Sequence, residues 1–286
     1  MNSALLGLMA ALSWGFHDFL ARFPSRAIGP VQTVLAVTFA GLIALSTWLL
    51  FQGAPLDIAW PKLWLVAVTG VLFTLATLAL FAALTLGPIS MVAPLAGSYP
   101  ALAMLIAIVR GERPSLIQWL AIVAVMGGVL IVSRSSGHYE ASGDLEPGKL
   151  KMLLGLAFLA SLCFAISLTS GQAAVPVFGE VQTVWLARCF SLLTITAIYL
   201  WQRDRAPIPA SWLPLLALMG CLDVIALGTI TAAGNLVDAA FATVVSSAFG
   251  AVSVLLARIF LKEPMASAQL GGITLIFGGV GLLAGT

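Results

Sequence analysis

Apolar stretches of about 20 residues follow one another along this chain with only short polar breaks between them. Ten can be drawn, over residues 4–22, 31–51, 63–86, 88–109, 116–133, 151–171, 181–201, 212–233, 236–260 and 267–285. A hydrocarbon core of about 30 Å is crossed by about 20 residues at the helical rise, so each stretch is long enough to span it. In lipid the backbone must satisfy its own hydrogen bonds, which leaves helices or closed barrels. These stretches are uniformly apolar, whereas barrel strands alternate over about ten residues, so helices are expected. Turn chemistry predicts breaks at Phe23-Pro24-Ser25, Gly53-Ala54-Pro55, Gly87-Pro88, Gly111 to Pro114 and Ala206-Pro207-Ile208-Pro209. The expected fold class is all-α integral membrane, with ten transmembrane helices.

Composition removes the alternatives. Hydrophobic residues make up 61% of the 286 and charged residues 8%, against about 25% charged in a soluble chain. A net charge of +2 with no basic run argues against a nucleic-acid partner. Cys163, Cys189 and Cys221 fall inside apolar stretches at spacings that suit neither a disulfide framework nor a metal site, so they read as small hydrophobes. No cofactor is expected. Met1-Asn2-Ser3 lacks a basic region and runs directly into apolar sequence, which reads as a first span and not a cleaved signal.

The longest polar stretch, Ser133 to Lys151, lies near the midpoint. It divides the chain into a five-helix repeat over 1–134, a linker over 135–150 and a second five-helix repeat over 151–286. The halves share order and detail. Gly29-Pro30-Val31-Gln32-Thr33-Val34 matches Gly179-Glu180-Val181-Gln182-Thr183-Val184, and Glu112, Gln118 and Gly127-Gly128-Val129 match Glu263, Gln269 and Gly278-Gly279-Val280. Gly7 and Phe16 match Gly155 and Phe164. An odd number of spans per half returns the chain to the opposite side, so the second half inserts upside down. Inverted repeats place a site near the midplane and let the halves exchange access by rocking.

Trp14-Gly15, Arg188 and the Glu-Arg-Pro or Lys-Glu-Pro turns at Gly111 to Pro114 and Lys262 to Pro264 each occupy a telling position. Both turns lead into a helix with a Gly-Gly-Val ending. With these features the chain resembles the drug/metabolite transporter superfamily, in its ten-helix branch built of two EamA domains. The resemblance covers essentially the whole chain. It implies secondary transport, commonly export of amino acids, other metabolites or drugs, through a central cavity between the halves. Thr38, where the first half could carry a counterpart of Arg188, and His17-Asp18 after Phe16 depart from the family pattern.

Charged residues in hydrocarbon cost about 2.5–3.5 kcal/mol on insertion scales and usually face the bundle interior. Arg188 and Asp223 sit mid-depth, and two readings stand: a structural ion pair, or an arginine fork for a substrate carboxylate with Asp223 as a protonatable coupling group. Asp18 is the second coupling candidate, although Arg22 at i+4 suits an exposed helix-end pair. His17 diverges from Asp18 by about 100° around the helix, which puts only one of the two toward a cavity. Asp238 reads as interfacial. The resemblance places Trp14, Phe16, Phe73, Tyr99 and Phe164 on helices around the cavity. Ser98, Ser246 and Ser247 lie near Pro94, Pro100 or Gly250, where freed backbone can line a cavity. The substrate-binding set is therefore Trp14, His17, Phe73, Ser98, Tyr99, Phe164, Arg188 and Ser246. Trp48, Trp60, Trp64, Trp119, Trp201 and Trp212 near span ends read as interfacial anchors, and the Gly-Gly pairs as close-packing points.

The expected function is a secondary transporter exporting small metabolites such as amino acids by alternating access, and not an enzyme. Its partners are the small-molecule substrate, the bilayer and protons. A flippase for a lipid-linked intermediate shares the fold. An intramembrane enzyme needs convergent acid, base or metal ligands, and two histidines, one of them in the linker, do not supply them. No phosphate-binding loop appears, so movement draws on a gradient. Loops after odd-numbered spans hold Arg22, Arg26, Arg134, Lys149, Lys151, Arg203, Arg205, Arg258 and Lys262, against Lys62, Arg110 and Arg113 after even ones. That imbalance puts both termini outside an inner, multi-pass membrane location.

Overall fold

The structure is a computed structural model that describes residues 2–53, 58–97, 99–111, 113–135, 147–202, 207–236, 239–262 and 266–284. Among the described residues there is no strand. The helices are α1 (Ser3–Ala27), α2 (Pro30–Gln52), α3 (Leu63–Leu86), α4 (Ile89–Ala96), α5 (Tyr99–Val109), α6 (Leu116–Ser135), α7 (Pro147–Phe178), α8 (Glu180–Trp201), α9 (Leu213–Ala232), α10 (Ala239–Ser246), α11 (Phe249–Phe260) and α12 (Ser267–Ala284). By length and composition, 7 helical segments among the described residues are long and apolar enough to cross a membrane. The predicted fourth stretch divides into α4 and α5, the ninth into α10 and α11, and the fifth and tenth form α6 and α12.

Helix boundaries depart from the turn signals at α1. The break expected at Phe23-Pro24-Ser25 is absent, and the helix continues through Pro24 to Ala27. One proline removes one donor, a cost that packing can offset. Here Pro24 and Ser25 are buried, Ile28 N–H bonds Pro24 O at 2.8 Å, and Arg26 donates from Nε to Leu84 O (3.2 Å) and from Nη2 to Gly87 O (3.1 Å). The basic end of α1 thus satisfies carbonyls at the end of α3. In the same way α7 runs past Pro176.

Sequence repetition becomes conformational repetition at the entries to α2 and α8. Gly29 and Gly179 precede them at φ 95° and 75°, a region costly for residues with a Cβ. Behind them Thr33 Oγ1 donates to Gly29 O at 2.8 Å, and Thr183 Oγ1 to Gly179 O at 2.6 Å.

The most extensive packing joins the two halves, and it is reciprocal. α1 packs on α9 as α3 packs on α7; α2 on α9 as α3 on α8; α10 and α11 on α1 as α4 and α5 on α7; and α2 meets α8 while α6 meets α12. Hydroxyls reinforce the seam: Ser191 Oγ donates to Gly70 O (2.9 Å), Ser167 Oγ to Thr69 O (2.8 Å) and Ser253 Oγ to Gly15 O (3.0 Å). Phe39, Ile43, Phe51, Leu193 and Leu200 face outward, as helices in lipid require. Trp48, Trp60, Trp64, Trp119 and Trp201 are exposed, while Trp212 is half-buried. Of the cysteines, Cys163 is buried but Cys221 is exposed, so its side chain is no packing residue.

One glycine of each Gly-Gly pair makes the close approach expected of α6 and α12. A Cβ at Gly128 would lie 2.5 Å from Gly272 O, and one at Gly279 would lie 2.8 Å from Ala121 O, whereas Gly127 has its nearest neighbour, Leu275 Cδ2, at 3.6 Å. Gly128→Ala is therefore expected to cost about 1–3 kcal/mol by overpacking, and Gly127→Ala to be near neutral. Thermal unfolding in detergent compares the two, and equal melting temperatures would refute the packing account.

Candidate functional site

The site begins with α1, which carries Trp14, His17 and Asp18 into the seam. All three are buried, Asp18 to 4% exposure. The indole Nε1–H of Trp14 donates to Asp223 Oδ1 at 3.0 Å. The second oxygen of Asp223 accepts from Arg188 Nη2 in a short buried ion pair. Arg188 lies on α8 and Asp223 on α9, so one carboxylate ties three helices together. The guanidinium also stacks over Phe73 of α3, 5.0 Å from the ring centroid, where a desolvated cation–π contact is worth up to about 2 kcal/mol.

A second pair lies beside the first, with His17 Nδ1 and Asp18 Oδ1 2.8 Å apart. This corrects two expectations. Asp18 is not at an exposed helix end, and His17 does not turn away from it. The backbone directions diverge, yet both side chains are long enough to lean together, and both line the same cavity. His17 also packs on Phe81, 5.6 Å between ring centroids, and its Nε2 is buried without a hydrogen-bond partner among the described residues, as is Arg188 Nε.

Aromatic rings close the site. Trp14 meets Phe73, Phe164 and Phe249 at centroid distances of 6.1, 6.5 and 6.5 Å, and Tyr99 stacks on Phe249 at 6.3 Å. Thr77 and Leu80 of α3 complete the lining. Space for the centre of a water molecule is only ≈ 10 Å³, room for about one water. The cavity is shut.

Two interrupted helices meet here. Tyr99 opens α5 and Phe249 opens α11, each just past a break. Ser246 Oγ donates to Thr243 O at 2.8 Å, so the hydroxyl of Tyr99, hydrogen-bonded to the same Ser246 oxygen, must be the donor there. One bond thus links the break in each half. Ser98 and Asp238 lie outside the described residues.

Of the residues singled out in the sequence, Trp14, His17, Asp18, Phe73, Tyr99, Phe164 and Asp223 line one cavity, and Ser246 supports it. Arg188 does not line the cavity; it reaches the wall through Asp223. Phe16 is 46% exposed and faces outward, because it lies two residues from both Trp14 and Asp18 on a helix. Phe249, Thr77 and Leu80 escaped notice. Phe249 had a signal, since it occupies after Ser246-Ser247 the place that Tyr99 occupies in the first half.

Comparison with known proteins agrees with this architecture. Residues 1–134 and 151–285 match the EamA-like transporter family. The chain belongs to that family. A Synechocystis sp. protein named an uncharacterized transporter is similar to this EamA-like chain, at 23% identity over 241 residues, 83% of this chain and 71% of that one. A solved crystal structure superposes with a TM-score of 0.75 at 22% identity, covering 98% of this chain and 96% of the other. That likeness concerns the fold.

Breaking a buried ion pair from one side leaves an uncompensated charge, at a cost of about 3–5 kcal/mol, whereas removing both charges is often tolerated. Arg188→Met should therefore lower the melting temperature strongly, and Arg188→Met with Asp223→Leu should restore much of it. A double variant no more stable than the single one would show that the pair is not what holds these helices.

Proposed function

We propose that this EamA-like chain is a secondary transporter that exports small amine-bearing metabolites, amino acids among them, by alternating access through the site between its halves. The observation that carries this reading is the shut cavity itself. Two carboxylates, a histidine and an aromatic wall are buried where the halves meet, a costly arrangement that marks substrate or ion pathways in membrane proteins. Ten crossings in two inverted repeats fit the reciprocal helix packing and the paired breaks α4/α5 and α10/α11. Discontinuous helices at corresponding positions of two halves are a recurring feature of carrier sites. With space for about one water, this conformation reads as occluded, and opening toward either side would require the seam to part.

An amine has groups to meet here, since Asp18 and Asp223 both line the cavity. A substrate carboxylate has no such partner in the lining, because Arg188 does not face the cavity. Asp18 and Asp223 remain the candidates for coupling to protons. The flippase alternative has one observation to draw on, an apolar surface groove of ≈ 500 Å³ among Leu45, Trp48, Val184 and Ile225. Its one charged lining residue, Glu180, is held by Asn235 Nδ2 at 2.9 Å, so the buried charges favour the central site.

Purified protein in liposomes loaded with an unlabelled amino-acid mixture should accumulate the labelled acids by counterflow. Asp223→Asn should slow this by at least about tenfold, while Phe39→Ala on the outer surface should not. Full activity in Asp223→Asn, or no counterflow in the unaltered chain, would contradict the reading.

A further inference from the structure

One end of the bundle carries a pocket separate from the central site. It lies among the last turn of α1, the start of the 210–235 segment and the end of α11, and its volume is ≈ 520 Å³. Arg22, Phe23, Arg26, Ala27, Trp212 and Leu261 line it. Three of the segments able to cross a membrane end or begin here, at Ala27, Ala210 and Phe260. The pocket therefore sits where hydrocarbon gives way to water, the level at which an indole such as that of Trp212 settles.

Its charge is one-sided. Arg22 and Arg26 stand at i and i+4 on α1, hence on one face, where like charges repel. Asp18, one turn before Arg22, is engaged by His17. The carbonyls of Leu84 and Gly87 orient the Arg26 guanidinium. Among the described residues the lining holds no acidic side chain, and the exposed Arg258 and Lys262 flank Leu261 at the end of α11. An apolar track leads from the pocket toward lipid. Phe23 meets Phe19 at 5.7 Å and Phe19 meets Phe260 at 5.8 Å between centroids, and both Phe23 and Phe260 are exposed. A basic recess beside an exposed apolar track matches the two parts of an anionic amphiphile, and basic pockets between transmembrane helices bind such headgroups.

A preference of helix ends for basic residues does not account for this, because the other repeat lacks it. Counting back from Gly29 and Gly179, Gln172 and Pro176 of α7 stand at the places of Arg22 and Arg26. Gln172 is buried and donates from Nε2 to Ala239 O at 3.0 Å and to Thr243 Oγ1 at 3.2 Å. Gly234 packs so closely there that a Cβ would lie 2.8 Å from Gln172 O. In one half protein closes the gap; in the other the gap is open and basic.

We propose that this pocket holds one anionic phospholipid, its phosphate between Arg22 and Arg26 and its acyl chains over Phe23 and Phe260. An arginine fork takes two phosphate oxygens at once, and an anion between the two arginines removes their repulsion along α1. The bound lipid ties the end of α1 to α9 and α11. Nothing in the pocket depends on what the central cavity carries, so the proposal stands apart from the transporter reading.

The test is native mass spectrometry of the full chain released from an uncharged detergent. Dioleoyl phosphatidylglycerol, dioleoyl phosphatidylcholine and inorganic phosphate are offered in separate titrations. One phosphatidylglycerol should be retained per chain, phosphatidylcholine more weakly, and inorganic phosphate not at all over the same range. Arg22→Gln should weaken phosphatidylglycerol retention about fivefold, the effect of one basic group at an anionic headgroup, and Arg22→Lys should keep most of it. Arg113→Gln, which removes an exposed charge between α5 and α6, should change nothing. Equal retention of the two lipids, or equal losses in Arg22→Gln and Arg113→Gln, would overturn the proposal. Retention of inorganic phosphate as tight as that of the lipid would make this a free-anion site and overturn it as well. Should Arg22→Gln not fold, the lipid comparison and the phosphate titration on the unaltered protein decide the matter.

Discussion

Burying Asp223 constrains everything around it. A carboxylate at mid-depth among apolar helices must be compensated, and it is, by the Arg188 guanidinium on one oxygen and the Trp14 indole on the other. Those partners come from α8 and α1, and Phe73 of α3 stacks beneath the arginine. The electrostatic requirement of one residue therefore fixes the relative positions of four helices from both halves. Buried pairs rarely add stability over an apolar core, since desolvation offsets the attraction. Their presence inside a membrane protein points to use.

The aromatic wall and the broken helices follow from the same centre. Rings that pack at 5.5 Å to 6.5 Å around Trp14, Phe73 and Phe164 exclude water from the pair, and the low local dielectric strengthens it. The breaks at Gly97 and Ser247 bring Tyr99 and Phe249 to the wall from equivalent places in the two halves. Tyr99 and Ser246 then join the breaks through one hydrogen bond.

Much of this was legible in the sequence. The membrane class followed from uniform apolar stretches, and the membership in the EamA-like family from Trp14-Gly15, Arg188 and the paired Gly-Gly-Val helices. Rare charges in apolar sequence pointed to Arg188, Asp223 and Asp18. Other features were not legible, for physical reasons. Pro24 carries the signal of a helix end, but burial and the bonds of Arg26 outweigh it. Helical periodicity separates His17 from Asp18 at the backbone and says nothing of how two side chains lean. Phe16 is turned outward by its helical spacing from Trp14 and Asp18, whereas tertiary packing brings Phe249 into the site.

The central claim is that this shut cavity opens alternately to the two sides of the membrane. Thr77 lines it and carries no charge, so Thr77→Cys, with Cys163, Cys189 and Cys221 replaced, reports access without disturbing either ion pair. Labelling by a membrane-impermeant thiol reagent, applied from each side of reconstituted vesicles in turn, should proceed from both sides and slow when substrate is bound. Labelling from one side alone, unchanged by substrate, would contradict the account.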